Sequence, residues 1–169
     1  MKKTFLFISI FLIAGMVGFS FSKAPKKEFT KEGLENKMIA SDGSEIVFKD
    51  ILNKYKGKTV VIEVWASWCR DCIAGMPKLK ALQSENPDLV YVFLSVDKTA
   101  DKWKTGIEKH QLKGEHFLIT DGMNGVFGKS IDLDWIPRYM VVDKKGKIVL
   151  YKAIKADDAE LVATLKKLK

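Results

Sequence analysis

Two kinds of apolar spacing alternate along the chain and predict its strands and helices. Continuous runs rich in β-branched and aromatic residues cover 59–65 and 89–96, as in strands buried on both faces of a parallel sheet. A segment with helical spacing follows each run, over 72–86 and 98–110. The pattern therefore predicts a β-α-β-α unit in the middle of the chain.

Shorter patterns extend this unit at both ends. Before it, we predict a β-hairpin over 38–48 and a short helix over 50–55 with Asp50 as its cap. After it, we predict a strand over 117–119, a helix over 126–131, a β-hairpin formed by 138–142 and 147–151, and a last helix that begins at Asp157 or Asp158. This order predicts an α/β fold with a central mixed sheet covered by helices on both faces.

The first 22 residues have a different character from the rest. Two lysines precede an uncharged run over 4–22 that is rich in Phe, Leu and Ile, which is typical of a secretory signal peptide. Small residues at Ser20 and Ser22 suit cleavage after Ser22. An uncleaved anchor fits the same pattern, because the run approaches the length that spans a membrane. Either alternative places the remainder outside the cytoplasm, in the periplasm or cell envelope.

The remaining sequence predicts one globular domain. Residues 23–37 are charged and contain Pro25, so we assign them to a linker, and we assign 38–169 to the domain. The chain length of 169 residues suits a single domain, and a hydrophobic fraction of 47% is enough for a real core.

The formal net charge of +8 does not indicate nucleic-acid binding. The 29 basic residues are scattered along the chain, at turns or between apolar positions, instead of forming one stripe. A phosphate-binding surface requires a clustered patch, so we expect no nucleic-acid partner.

The two cysteines of the chain, Cys69 and Cys72, stand where the strand over 59–65 gives way to a helix. A disulfide that closes so short a loop removes little chain entropy, which makes a purely stabilising role unconvincing. Cys69 would lie at the helix N-terminus, where unpaired amides favour the reactive thiolate and lower its pKa. We therefore expect Cys69 to attack a disulfide and Cys72 to resolve the mixed disulfide that forms.

The sequence resembles the thioredoxin superfamily, and in particular its extracytoplasmic TlpA/ResA-like branch, over 39–168. Four segments carry the resemblance: the strand and the approach to the cysteines over 61–69, Pro77, the dipeptide Ile136-Pro137, and the turn over 143–148. The resemblance implies a thioredoxin fold with an N-terminal β-hairpin extension, and a thiol–disulfide oxidoreductase activity.

Glu63 is a charged residue within an apolar strand. Alternation along the strand puts it on the face opposite Ile62 and Val64. By resemblance it is the buried acid beneath the disulfide, where it would have a raised pKa and exchange protons with Cys72. An edge carboxylate paired with a lysine is the alternative.

Other residues around the cysteines are assigned by resemblance. A cis bond between Ile136 and Pro137 would present backbone to a substrate strand, while a trans proline that ends a loop is the alternative. Trp68 would cover the dithiol and Trp65 support it from the core, although both could serve packing alone. Arg138 stands where many relatives carry a small or polar residue, and it could influence substrate choice.

Arg70 and Asp71 separate the two cysteines, where relatives often carry Gly-Pro, Pro-His or Glu-Pro. Arg70 would stabilise the Cys69 thiolate and Asp71 would oppose it, so we expect the two effects to nearly cancel. Because no imidazole lies between the cysteines, strong stabilisation of the thiolate is missing. The sequence therefore favours a reductant or a mild isomerase over a strong oxidant.

Two other functions fit parts of the sequence. A zinc or copper site could be built from Cys69, Cys72, His110 and His116, but 37 residues separate Cys72 from His110, against about 12 to 15 in zinc-finger patterns. A thioredoxin-like binding module without turnover would share the fold, since fold does not imply function. The intact cysteine pair, with its acid and proline, argues against such a module.

We therefore expect disulfide exchange with protein substrates by a monomer whose redox-active disulfide needs no other cofactor. The resemblance implies a membrane thiol-transfer partner that supplies electrons. It also implies the cysteines of apocytochromes as one substrate class, and hence a link to cytochrome c maturation.

Overall fold

The computed structural model describes residues 26–169, so the predicted signal peptide and the start of the predicted linker lie outside the described residues. Within this part, the strands are β1 (Lys37–Ala40), β2 (Glu45–Val47), β3 (Val60–Trp65), β4 (Val90–Ser95), β5 (Glu115–Ile119), β6 (Arg138–Val142) and β7 (Ile148–Ala153). The helices are α1 (Lys31–Leu34), α2 (Phe48–Lys54), α3 (Arg70–Glu85), α4 (Ala100–His110), α5 (Val126–Ser130) and α6 (Ala159–Lys167). None of these helices has the length and apolar character required to cross a membrane.

All of these strands belong to a single sheet in the order β2-β1-β5-β4-β3-β6-β7. The neighbours β3, β4 and β5 run parallel, whereas the pairs at both flanks are antiparallel. The predicted central mixed sheet with flanking helices is therefore confirmed. The predicted N-terminal hairpin is β1-β2, which extends the sheet by pairing β1 with β5.

Strand β3 lies at the centre of the sheet, between β4 and β6, and every one of its residues is buried. Such a position explains its continuous β-branched run, because neither face meets water. The strand ends at the fully buried Trp65, and the chain then enters α3 through a short turn. The cysteines therefore lie just beyond the carboxyl end of β3, at the end of the sheet where the parallel strands finish.

Helix α3 buries the apolar face that its spacing predicts, formed by Cys72, Met76, Leu79 and Leu82. Residue intervals of three and four keep these side chains on one side of the helix. Pro77 lies inside the helix, which continues to Glu85. The second cysteine is therefore held by the core, not by a mobile loop.

The predicted start of the second helix is wrong by two residues. Helix α2 begins at Phe48, after Val47, and Asp50 lies in its first turn instead of capping it. Phe48 is fully buried and makes edge-on ring contacts with Phe29 and Phe127 at 4.9 and 4.8 Å. Burial of this aromatic ring, which a local capping rule does not consider, sets the first turn of the helix.

We assigned residues 23–37 to a linker because they are charged. In the structure, residues 26–37 contact the domain. The Lys27 carbonyl accepts a hydrogen bond of 2.9 Å from the amide of Ile148, and Lys26 forms an ion pair of 2.8 Å with Asp132. Thr30 caps the short helix α1, and Phe29 packs on Phe48. The charge pattern does not predict these contacts, since the partners of Lys26 and Lys27 lie more than a hundred residues away in the sequence.

Candidate active site

The two cysteines lie at the junction between β3 and α3 and are joined by a disulfide. Cys69 is the N-cap of α3, and its sulfur accepts a hydrogen bond of 3.1 Å from the amide of Cys72. Both side chains are buried, Cys72 more deeply than Cys69. An N–H group directed at a sulfur stabilises a thiolate there, so the geometry favours Cys69 as the anionic partner when the pair is reduced.

The loop before β6 approaches the disulfide from the other side. The bond between Ile136 and Pro137 is cis, as predicted. The carbonyl oxygen of Ile136 lies 3.7 Å from the sulfur of Cys69. A disulfide sulfur carries no proton, so this contact becomes a hydrogen bond only when Cys69 is a thiol that can donate.

A groove with a volume of about 450 Å³ opens beside Cys69. Its lining residues are Trp68, Cys69, Arg70, Asp71, Met123, Asp134, Trp135 and Ile136. The structure thus brings five of the predicted site residues together in one surface. It also adds Met123, Asp134 and Trp135, which the sequence analysis did not identify. The signal for Trp135 was its place directly before the Ile136-Pro137 dipeptide.

Two largely exposed tryptophan side chains line this groove. Trp68 is 57% exposed and Trp135 is 59% exposed. Large exposed aromatic rings in a concave surface are typical of sites that bind another molecule. Trp65, in contrast, is fully buried, which agrees with its expected place in the core.

The turn that leads from β3 to Cys69 is held by Asp97, a buried residue beyond the end of β4. Its carboxylate accepts hydrogen bonds from the Ser67 amide (2.9 Å), the Ser67 hydroxyl (2.7 Å) and the Ser95 hydroxyl (2.8 Å). From α4, Gly106 comes so close that a Cβ there would lie 2.7 Å from that of Ser67. Sequence reasoning missed Asp97, although a carboxylate at the end of a parallel strand was a usable signal.

Glu63 occupies the middle of β3, where it pairs with Phe93 of β4 and Tyr139 of β6. Its side chain is buried, as expected, and one carboxyl oxygen, Oε2, has no hydrogen-bond partner within the described residues. Desolvation raises the pKa of Glu63 to about 8, while a hydrogen bond from the Tyr139 hydroxyl acts in the opposite direction. The alternative of an edge carboxylate does not hold, because β3 is a central strand.

Pro137 is followed by Arg138, whose side chain is fully buried. Its guanidinium donates to the carbonyl oxygens of Ile131 (3.0 Å) and Asp132 (3.1 Å) and to Asp134 Oδ1 (2.5 Å). Arg138 therefore binds residues 131–134, of which Asp134 lines the groove, and it does not line the groove itself.

The histidines considered for a metal site lie in other surroundings. His110 ends α4, whereas His116 lies in β5, where its ring stacks on Phe93 and its Nε2 lies 3.1 Å from the Leu112 carbonyl oxygen. Within residues 26–169, no group of three or more His, Cys, Asp and Glu side chains is arranged to hold a metal ion.

Comparison with known proteins places the chain in a family. The model of the Redoxin family matches residues 22–167. The thiol-disulfide oxidoreductase ResA of Bacillus cereus is 28% identical over 159 residues, which cover 88% of each chain. The thioredoxin-like protein YneN of Bacillus subtilis is 25% identical over 155 residues, with the same coverage.

Solved structures share the fold. The thioredoxin domain of a thiol-disulfide oxidoreductase from Bacteroides vulgatus has a TM-score of 0.66 and 25% identity, covering 79% of this chain and 92% of that one. A thiol-disulfide oxidoreductase from Bacteroides fragilis also has a TM-score of 0.66, at 20% identity, with coverage of 79% and 96%. The chain therefore belongs to the Redoxin family, as a ResA-like thiol–disulfide oxidoreductase with a thioredoxin fold.

Proposed function

We propose that this enzyme reduces disulfides in protein substrates outside the cytoplasm, with Cys69 as the nucleophile and Cys72 as the resolving thiol. One observation carries the proposal: the Cys69 sulfur accepts the Cys72 amide at the start of α3 and also lines the groove. Cys72 is 1% exposed, so it is suited to react second, within the protein.

The proposed cycle moves two electrons to the substrate. The Cys69 thiolate attacks one substrate sulfur, a mixed disulfide forms, and the other substrate sulfur leaves as a thiolate that takes up a proton. Cys72 then loses its proton and attacks the Cys69 sulfur, which releases the second substrate thiol. The enzyme is left with the Cys69–Cys72 disulfide that the structure contains. This disulfide is the redox centre, and the cycle uses no other cofactor.

Glu63 is proposed to accept the proton of Cys72 in the second half of the cycle. A general base works best when its pKa lies near the working pH, and burial brings the pKa of Glu63 to about 8. Its free oxygen leaves one acceptor position available for that proton.

The groove is the proposed substrate-binding surface. Trp68 would contact the apolar residues around a substrate cysteine, and the backbone at Ile136 and Pro137 would align the substrate chain. Arg70 and Asp71, which also line the groove, would modulate the charge that a substrate meets. Their opposite signs beside Cys69 support a moderate, reducing potential in place of a strongly oxidising one.

The proposed location follows from the basic and apolar start of the chain, with either a cleaved signal peptide or an anchor. Relatives named ResA, and a thiol:disulfide interchange protein DsbE of Pseudomonas aeruginosa that is 24% identical over 107 residues, support this location. A reductant in such a compartment must be reduced again after each cycle. We therefore propose a membrane thiol-transfer partner as the electron donor and apocytochrome cysteines as one substrate class.

The reduction potential of the Cys69–Cys72 pair tests the direction of electron flow. The mature protein is equilibrated in graded thiol buffers, and free thiols are trapped and counted. We expect a value near about −270 mV, the potential of thioredoxin. A value near about −120 mV, as in a strong disulfide donor, would contradict the reducing direction. A pair that does not cycle reversibly would contradict the function as a whole.

A further inference from the structure

Arg138 is a fully buried cation that the proposed cycle does not use. Moving a guanidinium out of water costs several kcal/mol unless its donors find partners. Here its three contacts, at 2.5 to 3.1 Å, all go to one short segment, residues 131–134. The side chain therefore fastens this segment to β6.

The segment forms neither a helix nor a strand, although Ile131 and Leu133 are buried and the first three of its amides donate hydrogen bonds to carbonyl oxygens of α5. It follows α5, and Asp132 has a φ angle of +48°, in the left-handed region that a non-glycine residue rarely adopts. Strand β7 adds two further contacts, from the Tyr151 hydroxyl to Asp132 (2.9 Å) and from Lys152 to Asp134. Side chains from β6 and β7 therefore hold the segment together with Lys26, which forms an ion pair of 2.8 Å with Asp132.

The next two residues along the chain are the groove residues Trp135 and Ile136. The indole of Trp135 is 59% exposed, so packing against the core does not fix its place. The Ile136 carbonyl oxygen, in contrast, lies 3.7 Å from the Cys69 sulfur. The position of the Trp135 indole relative to Cys69 therefore depends on the segment that Arg138 holds.

We propose that Arg138 is a specificity-determining positioning residue, whose hydrogen bonds to residues 131–134 hold the Trp135 indole in the groove beside Cys69. There the indole binds an apolar side chain that flanks the substrate cysteine. The inference rests on the proposed disulfide exchange and names its substrate class: disulfides whose cysteine has large apolar neighbours. Arg138 itself touches neither the substrate nor the two sulfurs.

This role makes a selective prediction, because binding of the substrate and reactivity of the thiol are separate properties. Two peptide disulfides serve as probes, identical except for leucine or serine on both sides of the cysteine. We expect Arg138→Met to raise the KM for the leucine peptide about tenfold with kcat unchanged, since one aromatic contact is lost. The KM for the serine peptide, and the rate of Cys69 alkylation at each pH, should change less than twofold.

A double-mutant cycle tests whether Arg138 acts through Trp135. Trp135→Ala should raise the KM for the leucine peptide about as much as Arg138→Met does, and the double variant should be no worse than Trp135→Ala alone. Lys54→Met is the matched control, because it removes an ion pair with Glu115 elsewhere on the surface. It should leave the KM for both peptides unchanged.

Buried Arg138 could be required for folding, and a second variant covers that case. Asp134 is a largely exposed partner of the guanidinium that also lines the groove, and Asp134→Ala removes its contacts with Arg138 and Lys152 without opening the core. We expect Asp134→Ala to raise the KM for the leucine peptide about threefold and to change the KM for the serine peptide less.

Three results would overturn the inference: equal losses with both peptides, a shifted alkylation profile, or additive effects in the double variant. Unchanged KM values in Arg138→Met, or in Asp134→Ala if the former does not fold, would overturn it too. The wild-type protein separates this failure from that of the proposed function. If the wild type turns over neither peptide nor a small disulfide, disulfide exchange itself is disproved.

Discussion

At the scale of single residues, Glu63 is unusual because its carboxyl group lies on a central strand that pairs with β4 and β6. Burial raises its pKa from about 4.5 to about 8, so the folded state retains a proton that the unfolded state has already lost at neutral pH. Its contribution to stability is therefore fully present below the unfolded pKa and is lost as pH rises towards about 8.

We expect Glu63→Gln to gain stability relative to the wild type as pH rises from 5 to 8, by at most about 1.4 kcal/mol for each pH unit. Urea unfolding of the oxidised proteins measures this difference without interference from thiol titration. Glu108→Gln, at an exposed position of α4, is the control and should show no such trend. A constant difference between Glu63→Gln and the wild type across this range would mean that Glu63 is ionised in the folded state.

A second prediction concerns the same carboxyl as a base. If Glu63 accepts the Cys72 proton, resolution of a mixed disulfide at Cys69 should accelerate in the wild type with an inflection near pH 8. In Glu63→Gln we expect resolution to slow at least about tenfold and this inflection to disappear. Release of a chromogenic thiol from a preformed mixed disulfide gives the rate directly. Identical pH profiles in the two proteins would exclude the proposed proton transfer.

At the scale of elements, the end of β4 supports the turn that follows β3. The Asp97 carboxylate joins the two through its hydrogen bonds to Ser67, which is half-buried, and to Ser95, which is buried like Asp97 itself. Hydrogen bonds to a charged group stabilise a protein more than neutral ones, and leaving buried donors unpaired adds a cost. This network keeps the chain in place just before Trp68 and Cys69.

We expect Asp97→Ala to destabilise the protein by about 2 to 4 kcal/mol and to slow alkylation of Cys69 in the reduced form. Ser95→Ala, which removes one of the three donors, should cost about 1 kcal/mol and leave alkylation almost unchanged. Chemical unfolding and iodoacetamide kinetics measure the two effects. If Asp97→Ala destabilises the protein without altering alkylation, the network serves the fold and not the site.

The division between what the sequence predicts and what it misses also appears at this scale. Cys69 was recognisable because the strand-to-helix junction places it locally, and Glu63 because it is a charged residue in an apolar strand at the position that the family resemblance gives to a buried acid. Trp135 and Asp97 were missed because they reach the site from loops after other elements, and only the strand order brings those loops together. The burial of Arg138 was equally hidden, since two of its three partners are backbone carbonyls that no side-chain pattern reveals.

At the scale of the whole molecule, the N-terminal boundary of the domain is open to a direct test. Composition put the boundary before Met38, but the chain from residue 26 onward already contacts the domain. Phe29 packs on Phe48, and Lys27 accepts a hydrogen bond from Ile148 at the edge of the sheet. A flexible tether would make neither contact.

A chain that begins at residue 38 should therefore be less stable than one that begins at residue 23, by at least about 2 kcal/mol. The aromatic contact supplies part of this loss, since fully burying a Phe side chain contributes about 1.5 to 3 kcal/mol and Phe29 is partly buried. Urea unfolding of both chains measures the difference, and Phe29→Ala in the longer chain should reproduce part of it. Equal stability of the two chains would restore the linker assignment for residues 23–37. A loss in the short chain that Phe29→Ala does not reproduce would instead assign the stabilisation to α1 and the backbone contact with β7.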